Sequence, residues 1–323
     1  MTGSSIWEKS AIEQAKKSGI EDIEDFLINL PNIGEQSIET ITENAIRMNS
    51  NCPNPRTKFI FERLIYHLHT FAKEVNLKTD EWKAGIDFIT KSGQMCSDVR
   101  QENILLSDVL GLSALVDGLS NAKPKGCTEC SILGPFHTED SEEVNASSLC
   151  SIPEDNNLTI TGKIKDINGT PISGAKIDIW ETDKDGLYDV QKIDRSGPDC
   201  RGIIFSDNEG NYKVKGLVPV AYSVPSDGPV GNLMKVLQRH SFRPAHIHFK
   251  IEAKGYQTLV TALYIEGDPF IKSDAVFGVK NSLVVKLEKN GDLSGNKSSN
   301  TENLWKLSFD FSLFKNNLLK GRI

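Results

Sequence analysis

The chain has 323 residues and a net charge of −7, with 37 Lys and Arg against 44 Asp and Glu. It is 38% hydrophobic and 25% charged, ordinary for a globular protein, and long enough for one large core or two units. The acidic balance, with no Lys/Arg cluster, argues against nucleic acid or an anionic membrane as partner, and no run of about 18 apolar residues suggests a membrane span. The first residues, MTGSSIWEKS, lack the apolar core of a secretory signal, so the expected location is cytoplasmic. There, Cys52, Cys96, Cys127, Cys130, Cys150 and Cys200 are expected as thiols. The pair Cys127 and Cys130 lacks the second C-x-x-C of a zinc ribbon.

Residues 6 to about 121 read as helices. Asn54-Pro55 is a helix start, with Asn as N-cap and Pro in the first turn. Phe61, Leu64, Leu68, Phe71 and Val75 follow at helical spacing, and Leu105, Val109, Leu112, Val116 and Leu119 repeat it. Such seams pack either inside the chain or against a second copy, and the pattern leaves both open. His67 and His69, two apart on a helix, share no face and read as structural. Residues 122–157 are linker-like, with a Gly134-Pro135 turn inside Ile132 to His137. From Leu158 the period becomes 2, in short strands separated by turns such as Asn168-Gly169 and Lys254-Gly255. The fold class is therefore α+β. A helical N-terminal region, 1–121, and a linker, 122–157, precede a mainly antiparallel β-sandwich, 158–323. Residues 290–302 read as a surface loop.

The most informative stretch runs from Tyr222 to Phe249. His246 and His248 alternate with Ile247, Phe249 and Ile251, so both imidazoles leave one face of a strand. Alone, such a pair also fits a polar strand face. Here Tyr222 stands in an irregular Pro/Gly stretch, Arg243 precedes Pro244, and Tyr188 ends the turn signal Asp183-Lys184-Asp185-Gly186-Leu187. Two neutral imidazoles and two phenols form a candidate metal set. With a tyrosine pKa of about 10, binding as phenolate at neutral pH demands a strong Lewis acid such as Fe(III). A non-catalytic binding sandwich is the competing reading, but it assigns no role to Tyr188, Tyr222, Arg243, His246 and His248 together.

These residues sit in DGLYD around Tyr188, in Tyr222 with P-x-DGPVG after it, and in RPAHIHF with Arg243, His246 and His248. On these motifs the chain resembles the intradiol ring-cleavage dioxygenases, in the catechol and hydroxyquinol 1,2-dioxygenase branch, over nearly its whole length to about residue 290. The resemblance implies Fe(III) held by Tyr188, Tyr222, His246 and His248, with Tyr222 leaving the metal during turnover to help accept a substrate proton. It implies that Arg243 stabilises the carbanionic ring, and that an aromatic diol and O2 are consumed to give cis,cis-muconate or maleylacetate in aromatic catabolism. Leu105, Asp108, Ile132, Leu133, Gly134, Pro135, Phe136, Val224 and Pro225 would line the substrate pocket with Arg243. A homodimer through the N-terminal helices is implied, with a phospholipid at its interface. The resembled catechol enzymes carry Pro where Asp108 stands, and the hydroxyquinol enzymes carry Asp. This favours a hydroxyquinol enzyme that also opens catechol over a strict catechol enzyme. One departure is Ala262, where the catechol enzymes carry a glutamine near the arginine.

Overall fold

The structure, a computed structural model, describes residues 6–97, 100–144, 148–150, 157–289 and 305–315, so the expected 290–302 loop lies outside the described residues. Contacts divide the chain into two compact units, residues 1–87 and 88–323. The helices are α1 (Ile6–Lys17), α2 (Ile23–Ile28), α3 (Ile41–Arg47), α4 (Pro55–Glu74), α5 (Thr79–Gln94), α6 (Glu102–Val109), α7 (Leu112–Ser120) and α8 (Pro229–Val236).

Asn54 starts α4 as read from the sequence, its side chain accepting from the Thr57 amide. His69 meets Thr42 of α3 at 3.1 Å, a structural contact. The seam of α4 is apolar and exposed: Phe61, Leu64, Leu68, Phe71 and Val75 are 46–56% exposed. The second seam is not one face. Gly111, at φ +75°, takes a left-handed conformation that ends α6, and α7 leaves at 81° to it. Val109 is buried, whereas Leu112, Val116 and Leu119 face solvent. Among the described residues no single helix is long and apolar enough to cross a membrane.

The strands are β1 (Asn157–Asp166), β2 (Lys176–Trp180), β3 (Arg201–Phe205), β4 (Asn211–Leu217), β5 (Tyr222–Ser223), β6 (Phe242–Arg243), β7 (His246–Glu252), β8 (Leu259–Ile265), β9 (Val284–Val285), β10 (Glu288–Lys289), β11 (Trp305–Ser308) and β12 (Phe311–Leu313). One sheet runs β10-β11-β1-β12, with β4 also on β1; the other runs β3-β2-β7-β8-β9; β5 and β6 form a small ribbon. Pairing is mainly antiparallel, but β1 with β11 and β12, and β8 with β9, are parallel. The chain between β8 and β9 is long enough for such a crossover. The Pro/Gly stretch after Tyr222 is not wholly irregular: Gly228-Pro229 starts α8, which buries Val230 and Met234. Cys150 and Cys200 are joined in a disulfide rather than standing as the expected thiols. Their separation of 50 residues shows no local pattern; the backbone bond from Leu149 to Lys215 of β4 helps place Cys150 beside the start of β3.

Strand alternation builds the core. Ile177 and Ile179 of β2, Ile247, Phe249 and Ile251 of β7, and Leu259 and Leu263 of β8 join one cluster with Leu158, Ile160, Val214, Leu307 and Phe311 of the other sheet. Phe249 and Phe311 touch across the sandwich at 4.9 Å. The opposite face of the β2-β7-β8 sheet carries Trp180, His246, His248 and Tyr264, and it too is buried.

Glu181, just past β2, is 1% exposed. One carboxyl oxygen accepts from the Leu217 amide at 2.8 Å, and the other has no hydrogen-bond partner among the described residues. Burial pushes this carboxyl up from 4.5 to about 8, against the pull of the Leu217 bond. The folded state thus holds a proton that the unfolded state releases. This stability is fully present below about pH 4.5 and is lost as pH rises through about 8, by up to about 5 kcal/mol. Glu181→Gln should leave Tm nearly unchanged at pH 5 and raise it by about 5 °C or more at pH 8.5. Equal shifts at both pH values in a thermal melt would show that Glu181 is ionised in the folded protein.

Candidate active site

The buried outer face of β7 is the floor of the site. His246 and His248 are 2% and 1% exposed. The Nδ1 of His246 lies 2.7 Å from the Pro244 carbonyl, an acceptor only, so Nδ1 carries the proton and Nε2 keeps its lone pair. Trp180 lies parallel to His248 with ring centres 4.8 Å apart, fixing the plane of that imidazole. Behind Trp180, His137 packs edge-on and meets Asp178 at 3.0 Å. Burial, and then the positive Arg243, hold both His246 and His248 well below the ordinary histidine range, so both are neutral.

The tyrosines arrive from two loops. Asp183 accepts from the amides of Asp185 and Leu187, closing the turn read from the sequence. Tyr188 then leads a 3₁₀ turn, its amide bonded to the Gln191 side chain. Asp189 within that turn pairs with buried Arg201, which also donates to the Phe136 carbonyl and the Thr138 hydroxyl. This arginine ties the Tyr188 turn to the segment carrying Phe136, and Phe136 stacks on Tyr188 at 4.6 Å. Tyr222 on β5 pairs directly across from Arg243 on β6.

The structure brings the four candidate ligands and the arginine together. The Tyr188 hydroxyl is 3.4 Å from His246 Nε2, the two imidazole Nε2 atoms are 3.1 Å apart, and Arg243 Nη1 donates to the Tyr222 hydroxyl at 3.2 Å and to His246 Nε2 at 3.0 Å. Among the described residues no group of three His, Cys, Asp or Glu side chains is placed to hold a metal, so any ligand set here must include phenols. The donor chemistry fits a trivalent ion. Two imidazole nitrogens crowd at hydrogen-bond distance, which requires a shared proton or a cation between them. Burial, and then the nearby Tyr222, hold the Tyr188 phenol well above its ordinary 10, so only a strong Lewis acid makes it a phenolate.

Above these groups lies a cavity lined by Leu105, Asp108, Ile132, Gly134, Pro135, Phe136, Tyr222, Val224, Pro225 and Arg243. Leu133 is not on this wall. It stands 40% exposed, while its neighbours Ile132 and Gly134 line the cavity. Val276, Arg100, Gln101 and Glu102, not anticipated from the sequence, complete the lining. Buried Glu102 accepts from the Val230 amide of α8, and Arg100 bridges Glu102 and Asp227, fastening the Val224-Pro225 wall to α6. Burial pushes the Asp108 carboxyl upward, while a Ser113 hydrogen bond and the charge of Arg243 pull the other way. No short-range signal marks Trp180, Val276 or Tyr264; each reaches the site through sheet pairing or a remote loop.

Comparison with known proteins agrees with this geometry. Residues 133–315 match the family described as "Dioxygenase", and residues 54–128 match "Catechol dioxygenase N terminus". An intradiol ring-cleavage dioxygenase of Aspergillus niger is 49% identical over 88% of this chain and 87% of its own length. The chain belongs to the intradiol ring-cleavage dioxygenases. A 6-chlorohydroxyquinol 1,2-dioxygenase of Cupriavidus pinatubonensis is 41% identical over 86% of this chain and 98% of its own. The crystal structure of hydroxyquinol 1,2-dioxygenase from Pseudomonas putida superposes with a TM-score of 0.80 at 38% identity, covering 86% of this chain and 99% of that one. Catechol 1,2-dioxygenase from an Acinetobacter species gives 0.75 at 26%, over 90% and 96%. A ring-opening oxidoreductase of this family is thus established, and the non-catalytic reading falls.

Proposed function

We propose that this dioxygenase uses Fe(III), held by Tyr188, Tyr222, His246 and His248, to open hydroxyquinol, and also catechol, between the adjacent hydroxyl-bearing carbons with both atoms of O2 incorporated. The single observation that carries the substrate choice is Asp108: a buried carboxylate on the cavity wall, within the electrostatic reach of Arg243. The names of the relatives, hydroxyquinol enzymes among them, support the same reading. Bound Fe(III) would supply the Lewis acidity that keeps both phenols and the substrate diol deprotonated and draws electron density from the ring.

The chain's own groups do the rest. Phe136, Ile132, Leu105 and Val276 enclose a flat ring and exclude water. The Tyr222 oxygen, adjacent to Arg243 and deprotonated when it serves as a ligand, is the group placed to accept a diol proton. Arg243, fully charged and buried, faces the cavity and stabilises negative charge developing on the ring. Asp108 accepts a hydrogen bond from the third hydroxyl of hydroxyquinol. The products are maleylacetate from hydroxyquinol and cis,cis-muconate from catechol. The helical N-terminal region, 1–121, serves as the dimerisation domain ahead of the pocket-lining linker, 122–157, and the catalytic sandwich, 158–323. The exposed α4 seam is what a second copy, with a phospholipid against it, would cover.

Purified protein should be red, with one iron per chain by metal analysis. His246→Ala and His248→Ala should lose both colour and iron, whereas Tyr222→Phe should keep iron and lose most turnover. Stoichiometric zinc without iron in active protein would sink the assignment. Asp108→Ala should lower kcat/KM for hydroxyquinol about ten- to hundredfold, as expected for a hydrogen bond to a charged acceptor, and that for catechol much less. An unchanged ratio of the two constants would reduce Asp108 to a polar helix residue. Sedimentation at micromolar concentration should report a dimer, and a monomer there would reject the α4 seam as an interface.

A further inference from the structure

Arg243 has five N–H donors and no acceptor, and it is 3% exposed. In this structure Nη1 is shared between the Tyr222 hydroxyl and His246 Nε2. His246 Nε2 belongs to the proposed ligand set and has a single lone pair, so a bound metal would take it from Nη1, while the Tyr222 oxygen keeps a lone pair that Nη1 can still meet. Two further bonds hold the other nitrogens: Nε to Asp274 Oδ1 at 3.3 Å, and Nη2 to the Tyr264 hydroxyl at 3.2 Å.

Tyr264 reaches the arginine by strand register. On β8, Tyr264 stands opposite His246 and Ala262 opposite His248, so both share the active-site face. Ala262, where the resembled catechol enzymes carry glutamine, has no polar atom to offer. Tyr264, two residues on and 0% exposed, packs its ring 5.4 Å from that of His246 and sends its hydroxyl to Arg243. The polarity of the chain beyond it is forced. Arg243 can only donate, so the Tyr264 oxygen accepts. The Tyr264 proton then goes to Ser131 Oγ at 3.0 Å, and Ser131 donates to the Gly278 carbonyl at 2.9 Å. Asp274 closes the frame by accepting from the Gly278 amide at 2.9 Å. Gly278 is needed for the close approach: a Cβ there would lie 2.6 Å from the Tyr264 hydroxyl and 2.9 Å from Arg243 Nη2.

We propose that Tyr264, backed by Ser131 and Gly278, is a positioning residue for Arg243. With Asp274 it fixes the Arg243 guanidinium so that the Nη1 edge faces the substrate. The inference rests on the role given to Arg243 above.

The test is a double-mutant cycle on iron-loaded enzyme, with rates normalised to measured iron content and read with both catechol and hydroxyquinol. Tyr264→Phe removes one oxygen and keeps the ring. It should lower kcat about ten- to hundredfold for both substrates, the cost of a catalytic group displaced by an ångström or less, with KM within about threefold and iron retained. In an Arg243→Lys background the same change should cost almost nothing, because it acts only through the guanidinium. Ser131→Ala should show a smaller loss that also vanishes in that background, and it serves if Tyr264→Phe does not fold. A full Tyr264→Phe loss on top of a slow Arg243→Lys enzyme would overturn the tether alone, as would a loss that tracks missing iron. Wild-type turnover in Arg243→Lys would instead overturn the role of Arg243, and the tether with it.

Discussion

Everything at the site hangs on the two-residue period of β7. Ile247, Phe249 and Ile251 are fully buried in the sandwich core, where each large apolar side chain contributes about 1.5–3 kcal/mol of burial. A one-residue slip would turn all three to the wrong face, so the register is strongly held. His246 and His248 occupy the alternate positions and are carried rigidly to the other side. The core thereby pays for a placement that no interaction between the histidines could hold. Two uncharged imidazoles crowded beside an arginine are costly, and only core packing of this strength keeps them there.

That outer face is then dried by loops. The Ile132–His137 segment, the Tyr188 turn and the β5-β6 ribbon cover it, and Arg201 binds the first two together through Asp189 and the Phe136 carbonyl. Exclusion of water sets the chemistry. It keeps the imidazoles neutral, holds the Tyr188 phenol protonated until a strong Lewis acid arrives, and leaves Arg243 as the permanent positive charge. On the proposed function, charge developing on a bound ring would meet a fixed guanidinium in a low-dielectric pocket, where such a partner is worth far more than in water.

The guanidinium at this site is paired along directed chains, whereas His248 Nδ1 and Trp180 Nε1 are buried with no hydrogen-bond partner among the described residues. Arg243 is held through Tyr264, Ser131 and Gly278 on one side and Asp274 on the other. The cavity wall is held in the same way, through Arg100, Glu102 and Asp227. Glu181 likewise has one carboxyl oxygen buried without a partner among the described residues, and a retained proton takes the place of an ion pair.

What the sequence determined by itself is whatever short range controls. The alternation around His246 and His248, the Asn54 cap, the Asp183 turn and the chemical types of the candidate ligands follow from periods of two to four residues and from intrinsic side-chain chemistry. What only the tertiary structure decided depends on contacts far apart in the chain. The bend at Gly111 splits a continuous apolar spacing into two helices, because one left-handed residue outweighs the pattern on either side. Leu133 faces solvent and Val276 faces the cavity because loop closure, not local preference, orients them. Cys150 meets Cys200, Trp180 lies on His248, and Tyr264 finds Arg243 through sheet pairing between segments up to 68 residues apart. Pairing partners are chosen by the burial of a whole face, a sum over many residues that no local stretch carries.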